Sequence, residues 1–309
     1  MKNRLRFCLV TFSLALMTWV GAAAYAQNPQ TIEVGPHAGI TSYIGELNTW
    51  RRLPEWNPLH QLNYEWGGVV RFNYDSRWAF RLDYTHLKVQ ACDTAAAWRP
   101  EAQLGFRSKV DDLSLMVEFN FLNYYTGRPE ASISPYIFAG ISGLRFDPRP
   151  YAIDTCLAPV LDAINLRTLR TEGDSVLYGR YALSIPFGVG CKFSLSKHLA
   201  ATVEWRMHYT FTDRLDDVHG VYPANDKHAL LVSTTNVDNQ VEYQTITASP
   251  SDLTLDQTLL YDFTDPSGRF SEQQQRGNAQ TNDWFGMINL SLTWKFVIPN
   301  NSACRMNVE

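Results

Sequence analysis

The chain has 309 residues, with 27 Lys and Arg against 31 Asp and Glu, and is 45% hydrophobic, 13% aromatic and 19% charged. This composition excludes a disordered, highly charged chain, and no segment beyond the leader approaches the ~20 uninterrupted apolar residues of a membrane helix. The acidic balance argues against a nucleic-acid partner.

Met1 to Arg6 carries Lys2, Arg4 and Arg6, an apolar run follows from Phe7 to Val20, and Ala24-Tyr25-Ala26 closes it. This pattern predicts a secretory signal peptide over 1–26. Its removal takes three cations and no carboxylate, leaving a more acidic mature chain.

The rest reads as stretches of about ten residues with a period of two, the pattern of strands with one lipid-facing and one interior-facing side. In chain order they are Ile32 to Thr41, Asn63 to Tyr74, Arg77 to Lys88, Val110 to Phe121, Pro135 to Phe146, Tyr181 to Phe193, His198 to Phe211, and a last strand from Trp284 to Phe296. The seventh is the clearest: Leu199, Ala201, Val203, Trp205, Met207, Tyr209 and Phe211 share one face, with Thr202, Glu204, Arg206, His208 and Thr210 on the other. The fifth leaves its register open, because Ile137, Ala139 and Ile141 alternate with Tyr136, Phe138 and Gly140 and neither face is polar.

The connections alternate between short and long. Asp75-Ser76, Asn123 to Ser134 and Leu195 to Lys197 form the shorter class; Ser42 to Leu62, Val89 to Lys109, 147–180 and 212–282 form the longer. The expected fold is therefore all-β: a closed, eight-stranded antiparallel transmembrane barrel of the outer membrane, in contact with outer-membrane lipid, occupying 27–298 as one domain. Large extracellular insertions lie at 147–180 and 212–282, a tail follows at 299–309, and both termini are periplasmic.

Eight strands leave an interior that side chains can fill. The inward positions supply Glu65, Arg71, Arg81, Asp83, Glu118, Lys192, Glu204, Arg206 and Lys295, expected to form a mixed-charge plug, because unpaired buried charges are costly. Aromatics at strand ends, such as Tyr64, Trp66, Tyr74, Trp78, Tyr84 and Trp294, read as interface belts.

The histidines sit in no nucleophile elbow or zinc-protease motif, so no enzyme is expected. Cys92, Cys156, Cys191 and Cys304 show no metal-ligand spacing, and nothing calls for a cofactor or metal. Cys92 and Cys156 fall in adjacent long loops, where a disulfide is topologically allowed. The stretch Asp213-Arg214-Leu215-Asp216-Asp217 is acidic but lacks the Gly and terminal Glu of a calcium loop.

Three segments carry a resemblance: Ser42-Tyr43-Ile44-Gly45-Glu46-Leu47-Asn48; Ile185-Pro186-Phe187-Gly188-Val189-Gly190 with Lys192-Phe193; and Val203-Glu204-Trp205 leading to Phe211-Thr212-Asp213-Arg214-Leu215-Asp216-Asp217-Val218. Together they resemble the PorG family, small outer-membrane barrels of the type IX secretion system. The resemblance implies a non-enzymatic role: tying the periplasmic ring of the lipoprotein PorK and its partner PorN to the outer membrane. Such a partner reaches only the short turns and termini, where Asp75, Tyr124, Tyr125, Arg128, Pro129 and Cys304 are the candidate contacts; aromatic and Arg residues are favoured anchors. The other reading is a surface adhesin or receptor acting through the long loops.

Overall fold

The structure, a computed structural model, describes residues 30–45, 47, 63–92, 104–151, 158–173, 176–235, 240–278 and 280–298. Eight strands close into an antiparallel barrel: β1 (Thr31–Ile44), β2 (Asn63–Asn73), β3 (Trp78–Cys92), β4 (Gly105–Asn120), β5 (Ile133–Pro150), β6 (Tyr181–Ser194), β7 (Leu199–Thr210) and β11 (Trp284–Val297). Neighbours pair in sequence order, and the last strand closes on the first, with Thr31 opposite Val297. Closure leaves no unpaired sheet edge, the condition for spanning lipid with strands.

The outer surface is apolar. Leu82, Leu115, Leu183, Val203 and Leu290 face outward and are exposed, between aromatics at one end (Tyr74, Trp78, Trp294) and the other (Tyr64, Trp66, Tyr84). From Phe121 to Asp111, ten residues at ~3.4 Å per residue and ~40° tilt rise about 25 Å, the height of an outer-membrane barrel's apolar band. The chain has the closed strand order and apolar outer wall of an outer-membrane β-barrel. No helix among the described residues is long and apolar enough to cross a membrane.

The register of β5 resolves with Ile133, Ile137 and Ile141 outward and Tyr136 and Phe138 buried in the lumen. Its inner face is aromatic because β6 makes room: Tyr136 pairs with Gly190 and Phe138 with Gly188. A Cβ on Gly190 would lie 2.7 Å from the Tyr136 ring, and one on Gly188 would lie 2.7 Å from Phe138. The two glycines of the Phe-Gly-Val-Gly segment are spaces for two rings.

At the loop-bearing end the strands outrun their predicted limits. β3 continues past Lys88 to Cys92, β4 starts at Gly105 rather than Val110, and β5 runs beyond Phe146 to Pro150. Alternation alone underestimates them because their inner side buries apolar residues (Leu87, Val89, Phe106, Val110, Phe146) against a lobe built by the two insertions. That lobe holds two short helices, α1 (Ala158–Ala163) and α2 (Leu166–Leu169), and a three-stranded antiparallel sheet of β8 (His228–Thr235), β9 (Val241–Ala248) and β10 (Gln257–Asp262), ordered β10-β8-β9. The buried run Ala229-Leu230-Leu231-Val232 makes β8 its centre.

Buried polar contacts stitch the two insertions together. The Arg276 guanidinium donates to the Asp217 carbonyl at 2.5 Å and to Glu172 Oε1 at 3.2 Å, and Glu172 also accepts from the His219 and Gly220 amides at 2.7 and 2.9 Å. Asp217 accepts from Thr171 and Tyr178, each at 2.5 Å. Thus Asp216 and Asp217 of the acidic stretch serve as structural acceptors, and the described residues contain no group of three or more His, Cys, Asp and Glu that could hold a metal.

The lobe is fastened to the barrel at Tyr43, whose hydroxyl meets Asp216 Oδ2 at 2.8 Å and also Asp283 Oδ1. A phenol has one proton for two carboxylates. Burial pushes the Asp283 carboxyl up to about 7, against the bonds it accepts from Tyr43 and the Leu215 amide. The folded chain therefore keeps a proton that the unfolded chain releases near pH ~4, so stability falls as pH rises from about 4 to 7 and levels off above. Limited proteolysis of the lobe across pH 5 to 8 should show protection declining toward neutrality; Asp283→Asn, whose amide can donate to Tyr43 and whose oxygen can accept from Leu215, should flatten that decline. Gly190→Val should destabilise the barrel by ~1–3 kcal/mol through overpacking. In a double-mutant cycle its cost and that of Tyr136→Ala should sum to more than the cost of the double variant, because the part of the clash made with the ring disappears and only the contact with the Val203 carbonyl stays.

Candidate functional site

Two regions hold the predicted site residues: the lumen and the short-turn end. In the lumen, Glu118 of β4 is met by Lys192 Nζ at 2.6 Å, Arg71 Nε at 2.9 Å and Arg81 Nη1 at 3.0 Å, cations from three different strands. Glu204 of β7 binds Arg206 at 3.0 Å and is also met by Arg81 and the Tyr136 hydroxyl. Asp83 takes Arg206 at 2.7 Å and His37 at 2.8 Å, and the other nitrogen of His37 lies 2.9 Å from Glu65. Arg71 also reaches Glu33 at 3.1 Å. The cations lie against rings as well: Arg81 is 4.8 Å from the centre of Phe138 and Lys192 4.7 Å from that of Tyr136. The structure thus joins Glu65, Arg71, Arg81, Asp83, Glu118, Lys192, Glu204 and Arg206 into one buried body that fills the barrel.

Lys295 stands apart from that body. It lies near the short-turn end and donates to the Thr126 carbonyl, because β11 reaches the barrel mouth there. Sequence reasoning missed His37, Tyr136 and Phe138 as lumen members. His37 was legible, since it keeps the inward phase of Glu33 on β1; the two rings were hidden by the open register of β5.

At the short-turn end, the β4–β5 connection folds back across the barrel mouth. Tyr124, a candidate partner contact, turns inward instead and is 3% exposed, stacked near Lys192. Burial holds its phenol above the ordinary range. Thr126 beside it donates to Glu33, so the turn closes the lumen from this side. Arg128 and Pro129 remain exposed, Tyr125 is half-buried, and the Arg128 guanidinium lies 4.7 Å over the Tyr125 ring. Pro129 opens the short helical turn Pro129–Ala131. The Asp75 carboxylate is engaged locally, accepting from the Arg77 and Trp78 amides at 2.7 Å each.

A cavity of about 360 Å³ opens here, lined among others by Asp75, Tyr124, Tyr125, Arg128, Lys197 and Lys295. Three cations against one carboxylate make it positive. Lys197 and His198 were not foreseen as lining residues; they sit in the β6–β7 turn, which sequence alone does not bring beside the β4–β5 turn.

Ser184 Oγ lies 3.1 Å from His208 Nδ1 and 2.6 Å from Ser142 Oγ, and His208 stacks on Phe285 at 4.3 Å. All three polar residues are buried in the lumen, and none lines the short-turn cavity. Cys304, Cys156 and the signal segment lie outside the described residues, as does the Cys92 side chain; Cys191 is a free thiol. Removing one member of a buried ion network leaves its partners uncompensated, at ~3–5 kcal/mol. Arg71→Met should therefore lower the denaturant midpoint of the barrel markedly, measured by loss of heat-modifiable gel migration.

Several solved barrels are similar to the chain. Neisserial surface protein A is 9% identical, covering 86% of this chain and 97% of that one, with a TM-score of 0.39. The N-terminal β-barrel domain of Pseudomonas aeruginosa OprF is 9% identical over 86% and 97%, at 0.35. A major outer membrane protein from Thermus thermophilus is 12% identical over 87% and 100%, at 0.36. No curated protein matches the chain. One family description, a domain of unknown function, DUF6089, matches residues 10–248. That span is well over half of the sequence, and the chain belongs to the DUF6089 family.

Proposed function

We propose that this barrel is a non-enzymatic outer-membrane component of a type IX-like protein secretion machine, holding the periplasmic PorK and PorN ring to the membrane through its short-turn face. With the short turns in the periplasm, as in other outer-membrane barrels, that face is the one a periplasmic ring can touch. The observation that carries the reading is the positive cavity beside the inward-folded β4–β5 turn, with Tyr125 and Arg128 stacked at its lip. An aromatic and an arginine held together at the edge of a pocket are favoured anchors of protein interfaces. The filled lumen supports a holding role rather than a conducting one.

The packed lobe favours a second reading, a surface receptor or adhesin acting through the loop-bearing end, because a cap tied down by Arg276 and Glu172 offers a defined surface rather than loose loops. The two separate in one experiment. Tyr125→Ala with Arg128→Glu, both outside the plug, should leave the amount of folded barrel unchanged, abolish co-purification of the ring lipoprotein in mild detergent and stop export. Retained co-purification and export would overturn the secretion reading and turn attention to the lobe.

A further inference from the structure

On the outer wall of the barrel strands, charged and histidine side chains are confined to β3, β4 and β5; the outward positions of β1, β2, β6, β7 and β11 carry none. They gather at the loop-bearing end, immediately above the ~25 Å apolar band. Opposite and like charges face each other here, with Lys109 opposite Asp147 and Asp111 opposite Arg145 across β4 and β5. Lys88 of β3 stands directly opposite Lys109 of β4, and Arg107 opposite Arg149 of β5. Like charges facing each other across a strand pair destabilise the sheet.

The two carboxylates of the wall are engaged by other groups. Asp111 accepts from Tyr84 at 3.1 Å and lies 2.7 Å from His86, while Asp147 takes Arg149 at 3.2 Å and the Asn165 amide. Lys109 and Arg145, both exposed, stand opposite Asp147 and Asp111, and the wall as a whole, with Lys88, Arg107, Lys109, Arg145 and Arg149 against those two carboxylates, keeps a positive excess.

Directly beneath them lies a groove of about 480 Å³, lined by Leu113, Gly143, Tyr181 and Leu183 with Tyr84, Arg145 and the Tyr84-bound Asp111 at its upper edge, among others. Leu113 is 55% and Leu183 67% exposed, and a Cβ on Gly143 would meet nothing within 4 Å. The missing side chain on β5 thus opens a trough in the apolar wall. Cations above and an apolar trough below complement an amphiphile with an anionic head and hydrocarbon tails, and a soluble polyanion has no use for the trough.

We propose that this wall binds a phosphorylated glycolipid of the outer leaflet, with a phosphate on Lys109 and Arg145 and an acyl chain in the trough at Gly143. Phosphate oxygens accept charge-assisted hydrogen bonds from Lys and Arg, and bringing a dianion between like charges removes their mutual repulsion. The site requires the loop-bearing end to face the cell exterior, and it is otherwise independent of any contact made at the periplasmic face.

The test is native mass spectrometry of the full-length protein in detergent, titrated with diphosphoryl lipid A or with the same lipid stripped of its phosphates. Wild type should retain the diphosphoryl form at concentrations at least tenfold below those needed for the stripped form. Lys109→Gln with Arg145→Gln should erase that preference, and Gly143→Leu, which fills open space, should weaken retention severalfold while the charges stay in place. Equal retention of both lipids by the wild type, or an unchanged preference in the double variant, would overturn the proposal by reducing the wall to a general lipid contact. Full displacement by inorganic phosphate at the same concentrations would overturn it too, because the acyl chain would then be irrelevant. The wild-type comparison needs no variant, so it decides the matter even if a substituted barrel misfolds, and ring co-purification is read separately and is untouched by either result.

Discussion

The barrel depends on neutralising charge in a space that admits little water. Glu118 shows how: one carboxylate receives Arg71, Arg81 and Lys192 from β2, β3 and β6, so strands that are not neighbours in the sheet are bound through its centre. Backbone ladders hold adjacent strands together, and the ion network adds ties across the diameter. An apolar filling of equal volume would be the simpler way to stabilise such a core, and breaking one partner of a buried ionic group is costly. The network is matched to position, because its ion pairs form only when the strands that supply them, β1 to β4, β6 and β7, lie in register.

The two ends of the barrel are closed by different means. At the short-turn end a single connection folds inward, and Tyr124 and Thr126 continue the plug with a ring and a hydroxyl. At the other end two insertions, brought together by Arg276 and Glu172, form a lobe whose apolar side rests on the extended inner faces of β3, β4 and β5. The lumen is therefore one layer in a continuous stack from mouth to cap, which is the geometry of a post rather than a pipe.

Much of this was legible in the alternation. β7 and β11 separate apolar from polar positions so cleanly that face, direction and lumen charges follow from period two alone. β5 does not, since its inner face is aromatic, and only the pairing of Tyr136 with Gly190 and Phe138 with Gly188 reveals why. The upper parts of β3, β4 and β5 escape the pattern because a second apolar surface covers their inner side, so the inner positions cease to be polar. Tyr124 was misjudged for a related reason: a long turn on a barrel is expected to face water, and whether its aromatic points out or in depends on whether the mouth below still needs filling. The sheet of β8, β9 and β10 lies within a polar stretch whose one strong apolar run, Ala229 to Val232, is too short to define a sheet alone.

The Tyr43 fastening has a consequence for how the chain assembles. Its hydroxyl, at the end of the first strand, joins Asp216 in the cap and Asp283 at the threshold of the last strand, across separations of 173 and 240 residues. No local folding step can satisfy these bonds. They form only when the final strand has arrived to zip against the first, so seam closure and seating of the cap converge on one phenol. Contacts of such sequence distance make folding slow and late-committing, and a nascent barrel that stalls before its eighth strand would leave the cap unmoored and the seam open at the same place.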